Sequence, residues 1–188
     1  MQIIGGEFKK RKLFAPKGDQ TRPSKNMLRE TFFNICFQRV EGAIFADLFA
    51  GSGAIGLEAL SRGAKHVYFI ESHKNAIQAI EKNIALLKVE NRVTFLKGDV
   101  FNFLPKIKGY LDIIFSDPPY ATDPTKSFSL KLLDFLNRHS MLKDNGRLFL
   151  EMRKAEKINY ETFESFELIK NRLIGDSQLV ELKQRPNL

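Results

Sequence analysis

Between residues 43 and 152, short apolar runs alternate with stretches of helical spacing, and that alternation restricts the chain to very few folds. The runs 43–49, 66–71, 92–96, 111–116 and 147–152 read as strands. The first is nearly continuous in apolar residues, as a strand buried on both faces requires. Helices are predicted over 53–62 (closed by Gly63), over 74–88, from an Asp99 cap to 104, and over 124–141 with Pro124 at its start. Such alternation implies a mostly parallel sheet with right-handed crossovers and helices on both faces. Both ends depart from that plan. Residues 2–15 read as a short hairpin, and Ser24 as the cap of a helix over 25–40 with Leu28, Phe32, Ile35 and Cys36 on its apolar face. The extended runs 163–174 and 179–183 flank Gly175-Asp176, a hairpin signal, so the sheet is predicted to end in an antiparallel pair.

The first strand runs into Asp47-Leu48-Phe49-Ala50-Gly51-Ser52-Gly53-Ala54-Ile55-Gly56. Glycines here permit positive φ and let the backbone approach a ligand closely. Glu71 lies 20 residues after Gly51 at the end of the next strand, where a carboxylate can accept both hydroxyls of a ribose. Asp99, with Val100 beside it, follows the third strand and suits an adenine amine. Three positions at the carboxyl ends of adjacent strands therefore fit an adenosine. The spacing Gly51-x-Gly53-x-x-Gly56 equally fits a dinucleotide such as NAD. Asp47 argues the other way, because an anion there opposes a pyrophosphate but can hold an ammonium group, directly or through water. That favours S-adenosylmethionine (SAM), which carries a sulfonium and an amine. On this reading Asp47, Phe49, Ala50, Gly51, Ser52, Gly53, Glu71, Asp99, Val100 and Asp117 form the donor site. The acids also have plainer readings, Asp47 in a capped turn and Glu71 and Asp99 as helix caps.

Asp117-Pro118-Pro119-Tyr120 ends the fourth strand, which neighbours the first in a sheet of this type. Two prolines fix φ and lack N–H donors, so they make a rigid turn that presents carbonyl oxygens. An exocyclic amine on a base is a poor nucleophile, since its lone pair is delocalised into the ring. If Asp117 and the Pro118 carbonyl accept its two hydrogens, the nitrogen can pyramidalise and aim that lone pair at a methyl donor. Tyr120 can stack on the base, which must be unpaired or flipped to be reached. Asp117, Pro118, Pro119 and Tyr120 are thus the candidate catalytic residues. The bland alternative is a turn that merely ends a strand.

Charge suggests either a nucleic-acid partner or, on the plainer reading, a solvated tail that only aids solubility. Residues 1–29 carry Lys9, Lys10, Arg11, Lys12, Lys17, Arg22, Lys25 and Arg29 against Glu7 and Asp19, and so hold six of the chain's net +8. Phosphate neutralisation would use such a cluster, and Lys9, Lys10, Lys12, Arg22, Arg29 and Tyr120 are the candidate substrate contacts. With 188 residues the chain suits one domain, divided here into a basic hairpin extension over 1–20 and a catalytic domain over 21–188. No apolar run approaches the ~18 residues of a membrane span, and the start lacks a signal-peptide pattern, which points to the cytoplasm. A lone Cys36, and His66, His73 and His139 without ligand spacing, point to no metal site.

With these residues in place, the chain resembles the RsmD-type ribosomal RNA methyltransferases. The resemblance runs through Ile3-Ile4-Gly5-Gly6, Arg11-Lys12-Leu13, Arg22-Pro23-Ser24, Arg29-Glu30, Phe33-Asn34, the Asp47–Gly53 loop, Gly56-Leu57-Glu58-Ala59-Leu60-Ser61-Arg62-Gly63, Glu71 and Asp117-Pro118-Pro119-Tyr120. It implies a Rossmann-like class I SAM-dependent methyltransferase fold, α/β, with a seven-stranded mostly parallel sheet and an antiparallel C-terminal hairpin. It also implies SAM as methyl donor and the guanine N2 amine of small-subunit (16S) ribosomal RNA as acceptor, within an assembled small ribosomal subunit. The resemblance suggests that Arg22 and its neighbours close over the site. A monomer is expected. Phe8 stands where the family usually has Trp, Lys10 where it often has Gly, and Ser24 where it usually has Thr. The rival readings are a DNA adenine-N6 methyltransferase, which would use the same corner, a non-catalytic RNA-binding protein with a relic pocket, and an NAD-dependent oxidoreductase.

Overall fold

The computed structural model describes residues 1–16, 23–36, 38–120 and 127–186. Arg22 and Pro124 lie outside them. The chain forms a seven-stranded mixed sheet whose strands follow the order β3 (Val93–Lys97), β2 (His66–Glu71), β1 (Ile44–Leu48), β4 (Leu111–Ser116), β5 (Leu142–Arg153), β7 (Ser177–Gln184) and β6 (Phe166–Ile174). It divides into two compact units, Met1–Lys108 and Gly109–Leu188.

In the first unit, helix α1 (Pro23–Cys36) precedes β1 (Ile44–Leu48), α2 (Ala54–Ser61), β2 (His66–Glu71), α3 (Lys74–Leu87), β3 (Val93–Lys97) and the short α4 (Val100–Phe103). β1, β2 and β3 pair in parallel. Phe45, Ala46, Leu48, Val67, Phe69 and Ile70 are buried, as the continuous apolar runs require. Helix α1 begins at Pro23, one residue before the expected Ser24 cap, because proline is preorganised for a first helical turn. It ends at Cys36, short of the expected 40.

Gly56 shows how closely α2 lies on the sheet. A Cβ there would sit 2.3 Å from Phe69 Cε1 and 2.8 Å from Val67 Cγ1, both in the core. We expect Gly56→Ala to destabilise the protein by about 1–3 kcal/mol through overpacking. Its urea midpoint should fall at constant m value; an unchanged midpoint would mean that α2 can retreat from β2.

The N-terminal segment pairs with itself as expected. Ile3 N–H donates to Arg11 O at 3.0 Å, Lys10 N–H to Ile3 O at 2.9 Å and Leu13 N–H to Met1 O at 2.9 Å. Lys10 takes φ of 70°, the left-handed region. That explains why a glycine suits this position better, since a Cβ costs about 1–2 kcal/mol there. The segment docks on α2, where buried Glu58 accepts the N–H groups of Ile4 and Gly5 at 3.1 and 3.0 Å.

In the second unit, β4 (Leu111–Ser116) leads to α5 (Phe128–Arg138), β5 (Leu142–Arg153), β6 (Phe166–Ile174) and β7 (Ser177–Gln184). β4 and β5 are parallel, whereas β7 runs antiparallel to both β5 and β6. The antiparallel ending is therefore present. β5 is longer than its apolar core suggested, starting at Leu142 with a register shift against β4. Helix α5 is capped by Ser127, whose Oγ accepts Leu130 N–H at 3.1 Å.

Candidate active site

Three parallel strands bring three acids to one edge of the first unit. The register sets Leu48 beside Ile70 and Glu71 beside Lys97, so the carboxyl ends of β1, β2 and β3 lie level. The loop after β1 turns sharply, with φ of 57° at Phe49, 57° at Gly51 and 76° at Gly53. Ala50 N–H donates to Ile70 O at 3.1 Å and Gly53 N–H to Ala50 O at 2.7 Å, which pins the turn to β2. A Cβ on Gly51 would meet nothing within 4 Å, so the loop borders open space.

Glu71 braces this loop. Its Oε2 accepts Gly51 N–H at 2.8 Å, and its Oε1 accepts the N–H groups of Ser72 and His73, each at 2.7 Å. Asp99 is exposed and caps α4, accepting from Phe101 N–H at 2.9 Å and Asn102 N–H at 3.3 Å through Oδ1. Its capping role is thus realised, with Val100 buried behind it. An open glycine turn flanked by carboxylates at the ends of the next two strands fits a nucleoside with ribose hydroxyls and an exocyclic amine.

Asp47 lies near the end of β1. It is 2% exposed, and its Oδ2 accepts Gly56 N–H at 2.9 Å. Burial pushes its pKa up to about 8, with the nearby Glu71 charge adding and the Gly56 N–H opposing. This bond ties the strand end to the first turn of α2, so the plainer reading, a carboxyl group that organises the turn, is realised.

The basic cluster also splits. Lys9, Lys10 and Lys12 are exposed. Arg29 is not: it is 4% exposed, donates to Gln2 O at 2.9 Å, and sits 3.6 Å from Glu58. A guanidinium buried against α2 and the N-terminal segment is not presented to a phosphate at the surface, so Arg29 leaves the set of substrate contacts.

One residue of this unit escaped the sequence reading. Asn83 of α3 is fully buried. Its Oδ1 accepts Phe14 N–H at 2.8 Å, and its Nδ2 donates to Phe14 O and Ser52 O, both at 3.0 Å. It therefore joins the end of the N-terminal segment to the glycine loop. The signal was available, since Asn83 falls on the helix face shared by Ala76, Ala79, Ile80, Ile84 and Leu87, where an amide needs partners.

In the second unit, Asp117-Pro118-Pro119-Tyr120 follows β4 directly. Asp117 is half-buried, Pro118 is buried and Pro119 is exposed. Tyr120 is 39% exposed, and its hydroxyl donates to Glu151 Oε1 at 2.6 Å and lies 2.7 Å from Ser177 Oγ. Burial, helped by the Glu151 hydrogen bond and the Glu151 and Asp117 charges, pushes the phenol pKa up to about 12 against the opposing Ser177 bond. Arg153 lies over the ring, 4.9 Å from its centroid. Glu151 stood unremarked in an apolar strand, although a charge in such a run is itself a signal.

The comparisons with known proteins agree with this geometry. The family model described as "Conserved hypothetical protein 95" matches residues 1–183. Ribosomal RNA small subunit methyltransferase D of Escherichia coli (strain K12) is 34% identical over 151 residues, covering 80% of this chain and 74% of the relative. The protein of the same name from Haemophilus influenzae is 30% identical over 178 residues, covering 93% and 89%. A solved structure of yhhF, a methyltransferase candidate from Escherichia coli, superposes with a TM-score of 0.84 at 29% identity, covering 100% of this chain and 99% of that one. This chain, with its glycine turn and its Asp-Pro-Pro-Tyr corner, belongs to the conserved hypothetical protein 95 family, that of the RsmD-type ribosomal RNA methyltransferases.

Proposed function

We propose that this protein transfers a methyl group from SAM to the exocyclic N2 amine of a guanine in small-subunit (16S) ribosomal RNA, in the cytoplasm and on an assembled small-subunit particle. The observation that carries the reading is the Asp117–Tyr120 corner at the carboxyl end of β4, in a chain whose family includes small-subunit rRNA methyltransferases.

The residues that would hold the donor are Glu71 for the ribose hydroxyls, Asp99 and Val100 for the adenine, and the turn from Phe49 to Gly53 for the remainder. Asp47 acts behind the turn, through Gly56. When bound, the donor supplies an electrophilic methyl on a positively charged sulfur. Asp117 and the Pro118 carbonyl accept the two amine hydrogens of the target guanine, which draws the nitrogen lone pair out of the ring. With the donor bound, that lone pair would take up the methyl group, a C–N bond replacing the C–S bond whose electron pair stays on sulfur, and the nitrogen would then give up a proton to solvent. Placement and charge stabilisation supply the rate. Lys9, Lys10 and Lys12, together with Arg22, supply phosphate contacts that are independent of base identity.

Small-subunit particles and naked small-subunit RNA, each incubated with methyl-labelled SAM and digested to nucleosides, test the proposal. N2-methylguanosine from the particles is the expected product. N6-methyladenine from a DNA substrate in place of it, or no labelled nucleoside at all, would overturn the assignment.

A further inference from the structure

Tyr120 is more tightly held than a stacking residue at a flexible corner would be. Its single hydroxyl proton goes to Glu151 Oε1 at 2.6 Å, so the 2.7 Å contact with Ser177 Oγ is one in which the serine donates. The two partners come from different strands, and the topology explains why both are in reach. β4 and β5 run in parallel with Ser116 beside Leu150, which sets Glu151 one step beyond the end of β4. β7 runs antiparallel to β5, so it begins where β5 ends, with Ser177 beside Arg153. The turn of the C-terminal hairpin thereby arrives at the carboxyl ends of the parallel strands, next to the corner.

Glu151 is hard to explain by packing alone. It is 4% exposed, and its Oε2 has no hydrogen-bond partner. A buried carboxylate kept only for stability would have both oxygens satisfied, because an unpaired one is costly. Glu151, Pro118, Pro119, Tyr120 and Met152 line one small cavity. Arg153, the second residue after Glu151, faces the Tyr120 ring at 4.9 Å.

We infer that Glu151 and Ser177 are positioning residues that lock the Tyr120 ring as a rigid platform for the target base, with Arg153 backing one face and the base taking the other. The inference rests on the proposed stacking role of Tyr120. It gives the C-terminal hairpin a function in catalysis, through Ser177. A ring anchored at its hydroxyl keeps one orientation, so the base settles on it without an ordering cost for the side chain.

A double-mutant cycle on RNA methylation tests the lock. Glu151→Ala should lower kcat/KM for RNA about tenfold, the effect of losing one charge-assisted hydrogen bond. Ser177→Ala should lower it about threefold. SAM affinity by calorimetry should stay unchanged in both. Tyr120→Phe should be impaired as well, and in that background each further substitution should cost less than twofold, because the hydroxyl through which it acts is gone. Full additivity, or a Tyr120→Phe enzyme as active as the unsubstituted one, would overturn the inference. Ser177 is half-buried and is the first residue of β7, directly after the hairpin turn, so the Ser177→Ala and Tyr120→Phe pair decides the matter even if Glu151→Ala does not fold. An unsubstituted protein that methylates no RNA would instead sink the proposed function, a result distinct from additivity in an active enzyme.

Discussion

Asp117→Ala is expected to retain SAM binding and to lose methyl transfer by a factor of about 10²–10³. The size follows from the proposed chemistry. The side chain supplies one of the two acceptors that draw the lone pair out of the ring, and it faces charge that develops only during transfer. Removing one such preorganised group costs about 2.7–4 kcal/mol in comparable sites. The donor's adenosine is assigned to the other unit, to Glu71, Asp99 and the glycine turn, so its affinity should hold. Initial rates with labelled donor, together with a calorimetric Kd, separate the two quantities. A drop in kcat and kcat/KM by equal factors would mark an interaction made only in the transition state. Turnover at the normal rate would remove Asp117 from the mechanism.

The second large effect concerns Asp47 and pH. Its pKa is about 8 in the folded protein, raised first by burial, against about 3.9 in an unfolded chain. Between these values the unfolded chain has released a proton that the folded protein still holds. The unfolded state then binds fewer protons, so stability falls as pH rises. The contribution is complete below about pH 4 and is lost by about pH 8, falling by roughly 1.4 kcal/mol for each pH step of one across that window. Asn in place of Asp47 cannot ionise, yet its carbonyl oxygen can still accept Gly56 N–H. Urea unfolding at pH 5 and pH 8.5 should therefore show Asp47→Asn gaining on the unsubstituted protein by a few kcal/mol at the higher pH. Titrating groups that do not interact with Asp47 cancel in that difference, whereas Glu71, whose charge contributes to the Asp47 shift, does not. Parallel pH profiles would show that Asp47 ionises as freely in the fold as outside it.

Asp47 and Glu71 together describe how the donor loop is built. One carboxyl group sits beneath the turn and takes an N–H from α2, while the other lies beside it and takes the N–H of Gly51. Asn83 adds a third tie through Ser52 O. The turn that would meet the donor is thus fixed from three sides by side chains on β1, β2 and α3. Such support limits the rearrangement that donor binding must drive.

The strands, their order of appearance, the glycine turn and the proline corner were all legible in the sequence. Each rests on signals spanning a few adjacent residues: apolar periodicity, glycine where φ is positive, proline where an N–H is dispensable. The roles of charged and polar side chains were another matter. Arg29 looked like a phosphate contact and is buried against Glu58; Asp47, read as a ligand to the donor, also accepts an N–H from α2. Glu151 and Ser177 gave no hint of Tyr120, which is 31 residues before one and 57 before the other. A carboxylate, a guanidinium or a hydroxyl acquires its role from burial and from the donors within about 3 Å, and those neighbours come from distant parts of the chain. The elements were therefore determined locally, whereas the assignment of each polar group had to wait for the strands to pair and bring its partners within reach.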